Sequence, residues 1–144
     1  MDKKTKGPVL DNNMMTSVPG IFAAGNVAVV FDLVDYVSAS GVTAAKGALK
    51  FIRGELQKDP EYRAVKAGEN VNFVVPQRVR ADADEKTGFY LRVTKPMTRV
   101  LLTCEEGGRV IAEKRETHAA PPEMMAFSAQ AEGTADILVS VKEV

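Results

Sequence analysis

The chain has 144 residues, 45% of them hydrophobic and 26% charged, a balance that suits one ordinary globular domain or two small units and excludes disordered, fibrous or large multidomain architectures. Nineteen basic residues balance nineteen acidic ones, for a formal net charge of +0 at pH 7, so no global field draws the chain to nucleic acid or to an anionic membrane. The single cysteine, Cys104, excludes an internal disulfide, a dithiol centre and a cysteine-rich zinc site. The longest apolar stretch, Ile21 to Leu33, is broken by Gly25, Asn26 and Asp32 and falls short of the roughly 20 apolar residues of a membrane span. With no apolar signal core behind Met1-Asp2-Lys3-Lys4, the expected location is cytoplasmic, with neither membrane nor nucleic acid as a partner.

Composition changes near residue 60, where a segment rich in Ala, Gly and Val gives way to short alternating runs with aromatic and β-branched residues. Two units are expected, over 1–60 and 71–144, joined by a polar connector over 61–70. Gly7 to Asp11 and Gly20 to Ala24 read as a short strand pair, separated by the turn-rich stretch 12–19. Asp32 is expected to be the N-cap of a helix starting near Leu33, with Asp35 in the first turn, where helix amides favour negative charge. Down that helix Val34, Ser38, Gly41, Ala45, Ala48, Ile52 and Leu56 recur every three or four residues and define one face with small residues in its middle. Gly41 costs about 1 kcal/mol relative to Ala in a helix interior, so it asks for a close neighbour on that face. Gly54 and then Asp59-Pro60 end the helix.

Six strand candidates follow. They are Val71 to Val79 (with Pro76 arguing for an edge or a bulge), Gly88 to Thr94, Arg99 to Cys104, Arg109 to Lys114, Met124 to Ala129 and Ala135 to Val141. Gly107-Gly108 has the character of a tight hairpin turn. Phe89, Leu91 and Val93 alternate with Tyr90, Arg92 and Thr94, and Ile137, Val139 and Val141 alternate with Leu138, Ser140 and Lys142, which suggests a small antiparallel β-sandwich. The fold class is therefore α+β: a strand pair and one long helix, then the sandwich.

The most informative segment is Thr16-Ser-Val-Pro-Gly-Ile-Phe-Ala-Ala-Gly-Asn26-Val, followed by Asp32 and by Ala39, Gly41, Ala44 and Ala45 in an Ala-x-Gly-x-x-Ala-Ala pattern. By itself Gly-Ile-Phe-Ala-Ala-Gly is a buried strand leaving through a glycine turn. The joint pattern resembles the end of the FAD domain in thioredoxin-reductase-like flavoproteins of the pyridine-nucleotide-disulfide oxidoreductase class, over roughly the first 56 residues. The resemblance implies FAD as cofactor, with Gly25 and Asn26 contributing to its site and the first turn of the helix, Asp32, Leu33 and Val34, presenting backbone N–H groups to the pyrimidine edge of the flavin. Where the family usually has Asp, this chain has Asn26; an amide still accepts through its oxygen and also donates, while the charge-assisted part of the bond is lost.

Beyond residue 56, Val75-Pro76-Gln77 and Lys95-Pro96-Met97 resemble a branch of these flavoproteins with a C-terminal β extension, which is associated with small cysteine-rich proteins and glycerol-phosphate dehydrogenase-like flavoproteins. A small cysteine-rich redox partner is the implied companion. No GxGxxG follows a strand, so the pyrophosphate site of FAD and the nicotinamide site are missing from the sequence. The chain is thus expected to be a C-terminal part of an FAD-dependent, NAD(P)-linked oxidoreductase, supplying one wall of the flavin site and not retaining FAD alone. Its partner would be the N-terminal FAD/NAD(P) region or a sibling subunit, and its uncovered apolar face points to a homo-oligomer. The alternative is a non-catalytic module whose sandwich docks a redox partner.

The remaining chemical groups read as structural. Cys104 lies in the apolar run Val100-Leu-Leu-Thr-Cys and reads as a small buried hydrophobe. His118 has no carboxylate at a catalytic or metal spacing in the sequence, the Asp82, Asp84, Glu85 cluster reads as a solvated turn, and Met124-Met125 with Phe127 reads as core. No catalytic residue and no metal ligand is assigned.

Overall fold

The computed structural model describes residues 1–144. Eight strands form two sheets: β1 (Tyr62–Ala67), β2 (Val71–Val75), β3 (Arg78–Arg80), β4 (Thr87–Val93), β5 (Met97–Glu106), β6 (Arg109–Ala119), β7 (Met125–Ala129) and β8 (Ile137–Glu143). The larger sheet has the order β3-β1-β8-β5-β6, the smaller β2-β4-β7. Period-two alternation turns Phe89, Leu91 and Val93 of β4 and Ile137, Val139 and Val141 of β8 into one core, where they meet Val100, Leu102 and Cys104 of β5. Together with helix α1 (Val34–Ile52), the two sheets make an α+β fold. No helix is long and apolar enough to cross a membrane.

A second core lies on the other face of the small sheet. Phe73 and Val75 of β2 and Met124 before β7 pack there with Leu10, Met14, Ala28, Val29 and Phe31. The chain therefore stacks in three layers, with the N-terminal 60 residues laid on a sandwich. Gly107 and Gly108, at φ +60° and +84°, close the β5–β6 hairpin between Glu106 and Arg109, the two-residue turn the Gly-Gly pair requires.

Three sequence expectations change. Residues 61–70 are no connector, because β1 runs through them between β3 and β8; its polar composition hides a strand in which Arg63 is buried. The sandwich is not wholly antiparallel, since β1 and β8 run parallel from Val65–Ile137 to Ala67–Val139. The runs 7–11 and 20–24 form no strand pair; one antiparallel bridge joins Met15 and Phe22. Leu10 instead spends its backbone on the turn after β2, donating its N–H to Gln77 Oε1 at 2.9 Å and accepting through its oxygen from the Gln77 and Arg78 amides. Pro76 sits where the chain crosses from the edge of one sheet to the edge of the other, with a cis Val75–Pro76 bond.

Helix α1 ends as its sequence demands. Gly54 takes φ +71°, its N–H donates to Phe51 O and that of Glu55 to Lys50 O, satisfying the last carbonyls. The face it buries is one residue away from the expected stripe: Val37, Ser40, Ala44 and Gly47 turn inward, while Val34 and Ile52 are 79% and 80% exposed. Close approach falls at Gly47, where a Cβ would lie 2.5 Å from the Asn13 carbonyl oxygen, whereas Gly41 has nothing within 4 Å.

Buried ion pairs join the layers. Arg80, 1% exposed, donates from Nε and Nη2 to Asp82 and from Nη2 to the Gln57 carbonyl, and its Nη1 lies 3.9 Å from Asp11. Arg63 donates from Nη1 to the Arg80 carbonyl and pairs with Glu106 at 3.2 Å. Burial pushes the Asp82 carboxyl up, but hydrogen bonds and charge from Arg80, with the Gln57 amide, outweigh it and hold Asp82 below its ordinary value. For Asp11, more deeply enclosed, burial wins and the carboxyl is raised despite bonds from the Asn13 and Met15 amides.

Three outcomes follow. Gly47→Ala lowers stability by about 1–3 kcal/mol because the helix must lift off Asn13, while Gly41→Ala raises it by about 0.5–1 kcal/mol; urea melts of the isolated chain check both. A lowered Asp82 stabilises the fold above its unfolded value near 3.8 and loses that contribution as pH falls through its native value. Asp82→Asn is therefore less stable than wild type at pH 7, with the gap closing below about pH 4 in melts across pH.

Candidate functional site

All five sequence-predicted binding residues, Gly25, Asn26, Asp32, Leu33 and Val34, lie in one loop and the helix start it feeds. Gly25 is buried at φ +62°, a conformation that favours glycine. Its N–H donates to Ser40 Oγ at 2.9 Å, and the Ser40 hydroxyl donates to the Val37 carbonyl at 2.7 Å. Its own carbonyl accepts from the Ala28 and Val29 amides, winding Gly25–Val27 into a 3₁₀ turn. Asn26, exposed, accepts the Phe31 N–H through Oδ1 at 3.2 Å and so closes the loop, leaving its Nδ2 unbonded.

Asp32 does not cap the helix. Its Oδ2 accepts the Met124 amide at 3.1 Å, and Leu33, extended and without a capping side chain, holds the N-cap position. The sandwich offers that amide at the entry to β7, so the carboxylate is drawn sideways and away from the helix amides. The N–H groups of Leu33, Val34 and Asp35 consequently have no partner within the chain. In the loop that leads to them, Val27, Val30 and Leu33 are exposed. An apolar surface with free N–H donors and one amide side chain suits a flat heteroaromatic ring with carbonyl groups at its edge.

The sandwich holds this loop in place. Arg92 of β4 donates to the Val30 and Pro122 carbonyls, each at 2.7 Å. Tyr90 of β4 meets Phe31 edge-on at 5.1 Å and Tyr36 of α1 at 5.4 Å; burial, then the Tyr36 hydroxyl, raises its phenol above the ordinary value. Ser40, Tyr90 and Arg92 were not singled out from the sequence. Ser40 is 15 residues from Gly25, and Arg92 is 62 from Val30, so no local spacing marks them.

The other chemical groups fall elsewhere. Cys104 is fully buried, and burial, followed by Glu106 and Glu105, pushes its thiol up to about 12, which closes thiolate chemistry. His118 does find a carboxylate: the hairpin and the turn after it bring Glu123 Oε2 to 3.1 Å from Nε2, both groups being exposed. Asp82, expected as part of a solvated turn, is the partner of Arg80. Met124 and Met125 fill the two cores separately. No three His, Cys, Asp or Glu side chains converge as metal ligands. No family model, curated protein or solved structure matches the chain.

The loop depends on one hydroxyl. Ser40→Ala leaves the Gly25 amide buried and unpaired, at about 1–3 kcal/mol. Hydrogen exchange at Gly25 should accelerate markedly, while exchange in β5 and β8 changes only with global stability.

Proposed function

We propose that the chain is the C-terminal part of a cytoplasmic FAD-dependent, NAD(P)-linked oxidoreductase, in which residues 1–60 form one wall of the flavin site and the sandwich braces that wall. The observation that carries the reading is the row of free amides at the start of α1, fed by a loop in which Asn26, Val27, Val30 and Leu33 are exposed. Bound FAD would supply hydride and electron transfer between a nicotinamide and a partner. Asn26 Nδ2 and the Leu33 and Val34 amides would bind and orient the polar edge of the ring, and Val27 and Val30 would exclude water from its face. A helix N-terminus there also favours negative charge on a reduced ring.

The exposed stripe of α1 supports the same reading. Val34, Ser38, Gly41, Ala45 and Ile52 fall on one outward line with no neighbour over Gly41, and a surface of that kind is normally covered. Its proposed cover is the N-terminal flavin region or a sibling subunit, with self-association when neither is present. A small cysteine-rich protein is the proposed electron partner.

The direct test starts from the source cells. Antibody raised against residues 71–144 should precipitate protein that releases flavin, at about one per chain, on acid extraction. Val34→Asp and Asn26→Ala should each lower that ratio without lowering the amount precipitated. Precipitated protein free of flavin overturns the proposal.

A further inference from the structure

We propose that a second site, the cleft between the C-terminal end of α1 and β3, binds a small carboxylate carried on an apolar body, with Arg78 as its receptor. The cleft has a volume of about 540 Å³, inside the roughly 300–1,000 Å³ range of small-molecule sites. It shares no residue with the loop from Gly25 to Val34.

Three arginines project from β1 and β3, and two are fully used. Arg63 and Arg80 are each engaged by an acid, Glu106 and Asp82, and by backbone carbonyls. Arg78 is different. Its Cζ lies over the Tyr62 ring, 3.9 Å from the centroid, its Nε is buried without a hydrogen-bond partner, and it makes no ion pair with any carboxylate of the chain. Asp11, whose carboxyl burial raises and Arg78 helps to lower, accepts the Asn13 and Met15 amides through Oδ1 and turns its unbonded Oδ2 toward Arg80 at 3.9 Å. With Nε enclosed, the two terminal nitrogens, which bond no group of the chain, form the edge that matches a planar carboxylate with two parallel bonds.

The walls select what the carboxylate is attached to. Pro19, Phe51 and Tyr62 line the cleft. Phe51 is 41% exposed and steadied edge-on by Phe22 at 6.3 Å. Lys58 adds positive charge at the lining and Asp59 opposes it, while Arg80 is neutralised by its own acids, so Arg78 supplies the uncompensated charge. An aryl or acyl carboxylate satisfies both halves of the cleft. Inorganic phosphate satisfies only one, and a neutral aryl compound only the other.

The test is a titration of the full chain followed by NMR, reading the Arg78 Nε–H and the Tyr62 ring, with benzoate, benzyl alcohol and inorganic phosphate as probes. Benzoate should shift both signals saturably, and Arg78→Gln should weaken it by roughly tenfold or more, the loss of a charge-assisted pair. Arg78→Lys should restore little, because a point charge cannot replace the two-point edge. Absence of saturation with benzoate overturns the proposal, as does undiminished binding by Arg78→Gln. If that variant does not fold, the wild-type comparison decides: benzyl alcohol or phosphate binding as tightly as benzoate overturns the proposal, and benzoate binding alone supports it.

Discussion

The buried guanidinium of Arg80 is the constraint on which the arrangement of the layers depends. Its side chain reaches Asp82 in the next loop, the Gln57 carbonyl after the helix and the Asp11 carboxylate of the N-terminal segment. Its backbone N–H donates to Asn12 Oδ1 and its carbonyl accepts from Arg63. One residue on a short edge strand thus touches both ends of the N-terminal unit and the neighbouring strand β1 of the large sheet. Ionic contacts enclosed to this degree add little net stability over a well-packed apolar alternative, yet removing one partner strands a charge at about 3–5 kcal/mol. Their effect is to fix register: Asp11, Asn12 and Gln57 can meet Arg80 in only one placement of the N-terminal unit.

That placement sets the helix. With Asn13 held beside Asp11, only a glycine can face it, and Gly47 supplies the contact. Ser40, two turns earlier, then reaches the Gly25 amide. These two contacts decide which way α1 is rolled, and the roll leaves Val34 and Ile52 in solvent. Hydrophobic burial alone would favour the opposite roll, since each buried Val or Ile side chain is worth about 1.5–3 kcal/mol. Directional contacts at Gly25 and close packing at Gly47 prevail over apolar area.

Where the pattern was local, the sequence was readable. Alternation in β4 and β8, the Gly-Gly turn and the glycine stop of α1 each depend on neighbours a few residues apart, and each is found in the structure. β1 was hidden because its partners β3 and β8 are distant and its buried Arg63 looks like loop chemistry until Glu106 is placed beside it. The strand character of residues 7–11 misled for the converse reason: the run is apolar, but its hydrogen bonds go to scattered partners, Gln77 and Arg78 at Leu10, Met15 at Asp11 and Asp2 at Gly7, rather than to a ladder. The five loop residues were placed together by motif, whereas the groups that hold them, Ser40, Tyr90 and Arg92, come from separate elements and carry no sequence signal.

Asn26 and Asp32 show how the sandwich alters the chemistry of the loop it supports. An aspartate cap would occupy the amides at the start of α1 and bring negative charge next to them. The Met124 amide removes that carboxylate to the side, and an asparagine rather than an aspartate stands at the head of the loop. Both changes have the same sign: each lowers the negative charge facing whatever meets the free N–H groups of Leu33, Val34 and Asp35. The amides at the helix start therefore stay free of an aspartate cap, with Asp35 the one carboxylate left in the first turn. The sandwich thus sets the charge at this helix start through one backbone hydrogen bond, from Met124 at the entry to β7 to Asp32, and braces the loop mechanically through Arg92 and Tyr90.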